Sequence, residues 1–410
     1  MLQTIEEKVM EKEITENKNF IEDKSFIENK NPIQNKNLTK NKSRAWLSIN
    51  RENLLHNIKE LHTIMPDNCK LMAVVKANAY GHGSVMISYL LNKAGIRNFA
   101  VATLQEGIEL RLNGITGEIL VLGYTEPSLA GELLQYGLTQ TIIDYNYGRE
   151  LESKGIPLKV QIKIDTGMHR LGFLAEEIEE IINIFQAKNL EVTGIFTHLS
   201  TADSLREGDI RFTKEQIGRF YILLEQLKQR KIQVPVHIQS TYGLLNYNAL
   251  SCDYARIGIG MYGSLSSAQD KTVIQPDIRP VLSLHSRVAL IRNITEGESV
   301  GYGRAYQADG NRTIAVIAIG YGDGYPRSLS EGEGEAVIRG MKVPIVGRIC
   351  MDQLIVDITG AEGIRSGDMA TLIGKEDLAS ISAGEVADKA GTIANELLCR
   401  LGNRLPRIYV

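Results

Sequence analysis

A lysine that follows a short apolar run is the first candidate for chemistry in this chain. The run Leu71–Val75 predicts a buried strand, and Lys76 comes directly after it. Burial lowers the pKa of an amine, which can then act as a nucleophile toward an aldehyde or as a proton acceptor. A lysine that extends from a strand end into water would give the same local pattern. Asn78, Tyr80 and His82, beside two glycines, favour the chemical role because they crowd polar groups around one amine.

The elements that must position this lysine alternate along residues 71–263. Eight β-rich runs are separated by amphipathic stretches such as Glu176–Ala187 and Thr213–Lys228, which predicts a closed (β/α)8 TIM-like barrel rather than an open doubly wound sheet. No GxGxxG motif follows the first run, which also argues against a dinucleotide-binding fold. The predicted strands are Leu71–Val75, Phe99–Ala102, Glu118–Leu122, Thr139–Ile143, Leu158–Asp165, Glu191–His198, Pro235–Ser240 and Tyr254–Ile257.

The sequence on either side of this region differs from it in composition and in hydrophobic pattern. Residues 1–43 repeat a lysine every six residues among Asn and Glu, which predicts a disordered low-complexity tail. We expect the barrel to span residues 44–277, with the alternative that a first strand at about 44–50 joins the C-terminal domain. Residues 278–410 alternate strand-like runs with Gly-rich turns, which predicts a mostly antiparallel β domain with one helix at Ala383–Ala390. Its predicted strands are Val281–Ile294, Thr313–Ile319, Glu335–Ile338, Val343–Val346, Gln353–Asp357 and Met369–Ile373.

Composition and charge exclude several classes of function. The 410 residues carry a formal net charge of −3, so no overall positive field favours nucleic acid or an anionic membrane. No apolar run approaches the roughly 20 residues of a membrane span. Neither a signal-peptide core nor a metal-ligand spacing of cysteines is present, so we expect a cytoplasmic protein without a metal site.

Several chemically capable groups follow the predicted barrel strands, at the rim where such barrels carry their function. The hydroxyls of Tyr80 and Ser240 and the backbone amides of a glycine loop suit a phosphate. Lys76 suits an aldehyde, with which an amine forms a Schiff base. Together these groups predict pyridoxal 5′-phosphate (PLP) as the cofactor. The rim residues are Lys76, Tyr80, Arg170, His198, Ser240, Arg256 and the loop Gly258-Ile259-Gly260.

Six motifs, in the same order along the chain, resemble those of the alanine racemases. The resemblance spans nearly everything after residue 44 and implies a PLP-dependent barrel with a C-terminal β domain, working as a head-to-tail homodimer. The motifs are Val75-Lys76-Ala77-Asn78-Ala79-Tyr80-Gly81-His82-Gly83, Asp165-Thr166-Gly167-Met168-His169-Arg170-Leu171-Gly172, Arg256-Ile257-Gly258-Ile259-Gly260-Met261-Tyr262-Gly263, Gly301-Tyr302-Gly303-Arg304-Ala305-Tyr306, Gly320-Tyr321-Gly322-Asp323-Gly324-Tyr325-Pro326-Arg327 and Gly347-Arg348-Ile349-Cys350-Met351-Asp352.

The resemblance also implies a role for each residue that matches a family position. Lys76 would bind PLP and act as the base on one face of the substrate, and Tyr302 from the other subunit would act on the opposite face. Arg256 would face the pyridine nitrogen, with His198 linked to it. Tyr80, Ser240, Gly258 and Ile259 would contact the phosphate, Arg170 and the main chain of Met351 the substrate carboxylate, and Lys163 matches a position that is often carbamylated.

One departure from the family pattern concerns the substrate. Many alanine racemases carry Ile-Asn-Tyr-Glu near the C-terminus, where this chain has Asn395 in place of the tyrosine. This segment, like the run Gln239–Tyr247, resembles the racemase domain of the membrane serine racemases of vancomycin-type resistance. Asparagine is shorter and offers both a donor and an acceptor, so Asn395 is expected near cofactor and substrate, where it would admit serine. Since no membrane domain accompanies it here, we expect a soluble enzyme.

Two other interpretations remain beside an L-/D-alanine and serine racemase that supplies D-amino acids for peptidoglycan. A PLP-dependent amino-acid decarboxylase has a similar two-domain plan, but Tyr302 in its Gly-Tyr-Gly-Arg setting, together with Arg256, argues against it. A non-catalytic PLP carrier would need the barrel alone, and the β domain that supplies Tyr302 and Met351 argues against that.

Overall fold

The computed structural model describes residues 43–410. The predicted tail therefore lies, apart from Ser43, outside the described residues. Two nine-stranded sheets organise the chain, one parallel and curved into a barrel, the other mostly antiparallel. Both predicted parts of the fold are therefore confirmed, whereas the boundary at residues 277 and 278 stays a prediction.

The barrel consists of parallel strands in the order β10-β2-β3-β4-β5-β6-β8-β9. Strand β10 pairs with β2, and two backbone hydrogen bonds connect the other edge, from Asp253 N to Val236 O and from Arg256 N to Gln239 O. The ring of eight strands is thereby nearly closed. Its strands are β2 (Lys70–Val74), β3 (Asn98–Val101), β4 (Glu118–Val121), β5 (Thr139–Ile142), β6 (Leu158–Asp165), β8 (Leu190–Phe196), β9 (Val236–His237) and β10 (Tyr254–Ile257), and a short β7 (Phe173–Leu174) pairs with β6.

Helices between the strands cover the barrel from outside. Their starts follow local capping chemistry: Thr103 and Glu106 form a capping box, and Asp144 accepts a hydrogen bond from Tyr147 N. The helix in the predicted stretch Glu176–Ala187 buries Ile181, Ile182 and Ile184 against the strands. The helices are α1 (Arg51–Thr63), α2 (Ser84–Lys93), α3 (Leu104–Leu112), α4 (Ala130–Gln135), α5 (Tyr145–Ser153), α6 (Ile178–Phe185), α7 (Glu207–Gln229) and α8 (Thr241–Asn246).

The second sheet is built around one long strand, β11 (Leu282–Ile294). This strand pairs with β1 (Ala45–Ile49), β14 (Arg312–Ile317) and β18 (Met369–Glu376), and β1 pairs in turn with the C-terminal β20 (Arg407–Tyr409). The first strand of the described residues, β1, thus lies in the C-terminal sheet. The remaining elements are β12 (Ser299–Val300), β13 (Tyr306–Gln307), β15 (Glu335–Ile338), β16 (Met341–Pro344), β17 (Leu354–Asp357), β19 (Ala379–Ile381), α9 (Ala383–Ala390) and α10 (Ala394–Arg400).

Most predicted strands differ from the observed ones by one to three residues at an end, and two of these differences have a local reason. The seventh barrel strand was expected over Pro235–Ser240 but ends at His237, because the Ser240 side chain accepts a hydrogen bond from Gly243 N and so caps α8. The run Val343–Val346 is shifted, because the observed strand Met341–Pro344 pairs antiparallel with β15 in a tight hairpin. Within residues 43–410, no helix is long and apolar enough to cross a membrane.

Candidate active site

The segment after β2 is a turn of left-handed helix. Ala77, Asn78, Ala79 and Tyr80 all have φ between 51° and 55°, and Gly81 follows at 82°. L-residues avoid this conformation because Cβ approaches the following carbonyl oxygen, at a cost of about 1–2 kcal/mol per residue. Other parts of the chain must therefore hold the turn in place. We call residues 77–81 the left-handed turn.

Hydrogen bonds from three different elements hold the left-handed turn. The Glu106 carboxylate, at the start of α3, accepts from Ala77 N at 2.7 Å and from Ala102 N at 2.7 Å. At the other end, Arg407 Nε on β20 donates to Gly81 O at 2.9 Å. The Asn78 side chain accepts from Ser84 N at 2.8 Å and so connects the turn to α2. Lys76, directly before the turn, is consequently directed by contacts that lie far from it in the sequence.

His82 and Tyr409 also support the left-handed turn, through contacts with its backbone and with the residue that follows it. His82 is fully buried, its Nδ1 lies 2.9 Å from both Ala79 O and Tyr80 O, and its ring stacks on Tyr262 at 4.4 Å. Burial lowers the pKa of His82 to about 4, so the imidazole is neutral and donates from Nδ1. The Tyr409 hydroxyl donates to His82 O at 3.0 Å. The role of His82 is therefore to support the backbone.

Four cationic side chains lie close together at this end of the barrel. Burial first, then Arg170, lowers the pKa of Lys76. The same two causes, together with Arg256, lower the pKa of the buried Lys163 to about 8. Such mutual repulsion favours the neutral amine at each lysine. The arrangement brings together Lys76, Lys163, Arg170 and Arg256 as predicted, and it favours an anionic ligand.

Arg170 lies in a tight turn after β6. The Asp165 carboxylate accepts hydrogen bonds from the backbone amides of Gly167, Met168 and Arg170, at 2.8, 2.9 and 3.0 Å. Gly172, at φ 120°, admits this turn because a Cβ there would lie 2.7 Å from Asp165 N. The turn thus fixes the backbone from which the Arg170 side chain extends.

Arg256 is a buried cation with two imidazole neighbours. Its Nη1 lies 2.8 Å from His237 Nδ1, and its Nη2 lies 3.3 Å from His198 Nδ1 and 2.7 Å from Thr197 O. Burial lowers the pKa of Arg256 to about 10. Burial and the neighbouring Arg256 also lower the pKa of His198 to about 3, so His198 is neutral. The predicted link between His198 and Arg256 is present, and His237, which the sequence analysis missed, is a second partner.

The predicted phosphate-contact residues surround one glycine loop. A Cβ on Gly258 would lie 2.6 Å from the Tyr80 hydroxyl, so glycine lets this hydroxyl reach the loop. The Thr241 hydroxyl accepts from Gly258 N and Gly260 N, each at 3.3 Å, and the neighbouring Ser240 begins α8. These hydroxyls and amides, beside a buried amine and a buried guanidinium, fit PLP, which needs a phosphate site and an amine. None of the described residues form a His, Cys, Asp and Glu cluster that could hold a metal ion.

Tyr302 and Met351 lie on the C-terminal part of the chain, on an exposed surface. Tyr302 is 68% exposed and Met351 53% exposed, and Tyr321, on the loop that packs on that of Met351, is 40% exposed. The loop of Tyr321 packs on that of Met351, with Gly322 N donating to Met351 O at 2.8 Å. No hydrogen bond, ion pair or ring contact among residues 43–410 joins Tyr302 to Lys76. One copy of the chain therefore does not bring the two predicted bases into contact.

Asn395 is the second residue of α10, a helix that was not predicted from the sequence. Its Oδ1 accepts a hydrogen bond from Ser266 Oγ at 2.9 Å, which leaves its Nδ2 as a donor. The same helix packs against the left-handed turn, since a Cβ on Gly81 would lie 2.1 Å from Leu398 O. Asn395 thus lies on an element in direct contact with the turn after Lys76.

Two residues that support the site had recognisable sequence signals. Glu106 is the fourth residue of Thr103-Leu104-Gln105-Glu106, a capping-box pattern that marks a helix start. His237 lies on the predicted seventh strand, whose end carries the predicted site residue Ser240. Side chains two positions apart on a strand share one face, so such a strand places His237 and Gln239 on the same side of the sheet. The signal for Glu106 indicates a cap only, and nothing local indicates that its carboxylate also binds Ala77 N.

Comparisons with known proteins agree with this architecture. The sequence profiles of the alanine racemase N-terminal and C-terminal domains match residues 49–266 and 281–409. An amino-acid racemase of Enterococcus faecalis is 48% identical over 88% of this chain and 51% of its own length. A serine/alanine racemase of Enterococcus gallinarum is 39% identical over the same shares. This chain thus spans about half the length of these curated relatives. It covers 94% of alanine racemase 2 of Caldanaerobacter subterraneus subsp. tengcongensis, at 38% identity over 89% of this chain.

Solved structures show the same fold. The alanine racemase from E. faecalis superimposes with a TM-score of 0.83 and 32% identity, over 90% of this chain and 98% of that one. The alanine racemase from Bacillus anthracis with bound L-Ala-P gives a TM-score of 0.84 at 32% identity, over 90% and 95% of the two chains. The agreement covers both the barrel and the C-terminal sheet.

We expect Gly81→Ala to destabilise the protein more than Gly95→Ala. Both glycines have positive φ, 82° and 89°, so each alanine costs about 1 kcal/mol for the left-handed conformation. A Cβ on Gly95 meets no atom within 4 Å, whereas one on Gly81 meets the Leu398 carbonyl and adds about 1–3 kcal/mol of overpacking. Urea unfolding followed by circular dichroism measures both changes. Equal losses would show that α10 does not constrain the turn.

Proposed function

This chain belongs to the alanine racemase family, and we propose that it is a PLP-dependent racemase that interconverts L- and D-alanine and L- and D-serine. The observation that carries the proposal is the position of Lys76, a largely buried amine of lowered pKa held at the barrel mouth beside Arg256. Such an amine is neutral more often than an exposed lysine, and only a neutral amine attacks an aldehyde or accepts a proton.

The cofactor would be held by groups from several barrel strands. Lys76 would bind its aldehyde, the hydroxyls of Tyr80 and Ser240 with the amides of Gly258 and Ile259 would bind its phosphate, and Arg256 would face its ring nitrogen. When bound, PLP withdraws electrons from the substrate and makes the Cα–H bond acidic. Arg256 has only donors and does not readily give up a proton, so it would leave the ring nitrogen unprotonated. A weaker electron sink limits side reactions such as transamination and decarboxylation.

Racemisation needs proton transfer on both faces of Cα. Lys76 removes or returns the proton on one face, and Tyr302 of the partner subunit does so on the other. The exposure of Tyr302 supports this assignment, because a second copy can cover a tyrosine that is 68% exposed in one chain. His198 accepts from Arg256 at Nδ1, which leaves the Nε2 proton to be donated toward a phenolate. We therefore propose a head-to-tail homodimer with shared active sites.

The substrate carboxylate would be bound by Arg170 and by the main chain of Met351 of the partner subunit. Guanidinium and carboxylate form paired hydrogen bonds of fixed geometry, which orients Cα between the two bases. Asn395 would contribute at the edge of the site, toward the substrate side chain and the cofactor. Because D-amino acids are components of bacterial cell walls, the proposed cellular role is their supply for peptidoglycan, in the cytoplasm.

The first test is racemisation by the purified protein with added PLP. We expect chiral chromatography to detect D-alanine from L-alanine and D-serine from L-serine. Lys76→Ala should abolish turnover, and Tyr302→Phe should lower it by about 10²–10⁴-fold, the usual contribution of general acid–base catalysis. Lys70→Ala, at the exposed start of β2, and Tyr124→Phe, an exposed tyrosine of the barrel, are the matched controls.

Deuterium exchange separates the two faces. In Tyr302→Phe the base on one face remains, so the Cα–H of only one enantiomer should exchange with D2O. Exchange of both enantiomers at equal rates would contradict the two-base assignment. Release of CO2 from amino acids without racemisation would indicate a decarboxylase instead.

We expect Asn395→Tyr to lower the ratio of kcat/KM for serine to that for alanine about fivefold, the effect of one lost hydrogen bond. The larger side chain would remove space beside the substrate and the Nδ2 donor. Ser266→Ala, which removes the partner of Asn395 Oδ1 but keeps Nδ2, should change the ratio less. An unchanged ratio in Asn395→Tyr would remove Asn395 from the substrate site.

Lys163 is proposed to be carbamylated, because CO2 reacts with the neutral amine. With its pKa lowered to about 8, the neutral fraction near pH 7 is roughly two orders of magnitude above that of an ordinary lysine. The negative carbamate would stabilise the Arg170 guanidinium. Protein equilibrated with ¹³C-bicarbonate should show a carbamate signal by NMR that rises with pH through the Lys163 pKa. Lys163→Arg should lack the signal, and Lys159→Arg, exposed on the same strand, should keep it.

A further inference from the structure

Arg256 is nearly fully buried, and none of its hydrogen-bond partners among the described residues is a carboxylate. Its two terminal nitrogens donate to carbonyl oxygens of Thr197, His237 and Ile238 and to imidazole nitrogens of His198 and His237. A buried cation usually has an anionic partner, because burial alone disfavours charge. A chain of hydrogen bonds through other side chains connects Arg256 to a carboxylate.

The first step of that connection determines the protonation of His237. A guanidinium has only donors, so His237 Nδ1, 2.8 Å from Arg256 Nη1, must accept. His237 is fully buried, and burial together with Arg256 lowers its pKa well below the usual value, so the ring is neutral. Its proton is therefore on Nε2, which lies 2.7 Å from Gln161 Oε1. The ring is further held by stacking on Phe196, with centroids 4.6 Å apart.

The second step leads from Gln161 to a carboxylate. Gln161 is fully buried on β6, and its Nε2 donates to Glu118 Oε1 on β4 at 2.8 Å. With Oε1 accepting from His237, a flipped amide would place two N–H groups against each other and an oxygen against the carboxylate. Burial raises the pKa of Glu118, whereas the hydrogen bond from Gln161 lowers it. The donor-only Arg256 and the acceptor Glu118 thus impose one direction on the whole chain of hydrogen bonds.

We propose that Gln161 and Glu118 are positioning residues of the cofactor site, because their hydrogen bonds fix the ring of His237 and, through it, the direction of the Arg256 guanidinium. The chain Arg256–His237–Gln161–Glu118 joins strands β10, β9, β6 and β4 across the barrel interior. If Gln161 cannot accept, the His237 N–H loses its partner and the ring can turn away from Arg256. The consequence for catalysis rests on the proposed function, whereas the hydrogen-bond chain does not.

The test compares three variants. Gln161→Leu interrupts the chain of hydrogen bonds between Arg256 and Glu118. Glu118→Gln keeps an acceptor oxygen but removes the charge. Gln140→Leu is the matched control, because Gln140 is also fully buried in the barrel, on β5, but its Nε2 donates to the carbonyls of Gly123 and Thr141 instead. Thermal unfolding identifies any variant that does not fold. The proposal then rests on the difference between the two leucine variants. Because Glu118→Gln keeps the acceptor oxygen, it should leave the Nε2–H signal and the Kd close to those of the wild type, and a loss equal to that of Gln161→Leu would overturn the role assigned to this oxygen.

The first readout is the His237 ring in ¹⁵N-histidine-labelled protein, with and without added PLP. The wild type should show a slowly exchanging Nε2–H signal, which Gln161→Leu shifts or loses and which Glu118→Gln and Gln140→Leu keep. The second readout is the Kd for PLP, which should rise about five- to tenfold in Gln161→Leu, the effect of one lost buried hydrogen bond. For the proposed reaction, kcat for alanine should fall by about the same factor with KM nearly unchanged.

The outcomes separate this inference from the proposed function. The inference is overturned if Gln161→Leu leaves the Nε2–H signal, the Kd for PLP and kcat unchanged. It is also overturned if Gln140→Leu changes these three quantities as much as Gln161→Leu does. A changed Nε2–H signal in Gln161→Leu with unchanged Kd and kcat also overturns the inference, because the chain of hydrogen bonds would then exist without positioning Arg256. If the wild type binds PLP but racemises nothing, the proposed function fails, and the signal and the Kd still decide the inference.

Discussion

The left-handed turn after β2 is the constraint on which the site depends. Four successive residues other than glycine adopt a conformation that costs about 1–2 kcal/mol each, so local preference works against the turn. Contacts from elsewhere must outweigh this cost. The Glu106 carboxylate, Arg407 and Tyr409 supply them, and two of these three residues belong to the last strand of the chain. The direction of Lys76 is thus a product of the complete fold.

This dependence explains why the first and last strands lie together in the C-terminal sheet. Strand β20 pairs in parallel with β1, which directly precedes the barrel, and the side chains of β20 reach the left-handed turn. The sheet therefore supports the barrel's lysine from one side. Loops of the C-terminal part of the chain also carry the exposed Tyr302 and Met351, which the proposed dimer would place in the site of the other copy. The C-terminal part of the chain thus supports one half of the proposed site through β20 and presents the other half on its loops.

The barrel was predictable because its strands are apolar runs whose pattern is local, and even the ends of Leu158–Asp165 and Tyr254–Ile257 agree with the structure. Lys76, Arg170 and Arg256 were found by the same logic, since function follows the strand ends. The left-handed turn was not predictable, because its residues have no preference for it. The bond from His237 to Gln161 joins residues 76 positions apart, and that from Ser266 to Asn395 joins residues 129 positions apart. No local pattern carries such pairings.

The charges of the site are consistent with its proposed ligands. Arg170 and Arg256 add to the effect of burial in lowering the pKa of Lys76 and of Lys163, and the neutral His198 adds no further positive charge. A phosphate and a substrate carboxylate would offset this repulsion, so cofactor and substrate both favour the arrangement that positions them. The same ligands would raise the pKa of Lys76 again, because an anion nearby favours the ammonium form. Burial of Lys76 opposes this rise in pKa, and so do the neighbouring cations Arg170 and Arg256. Both are therefore needed to keep Lys76 able to act as a base when the anionic ligands are bound.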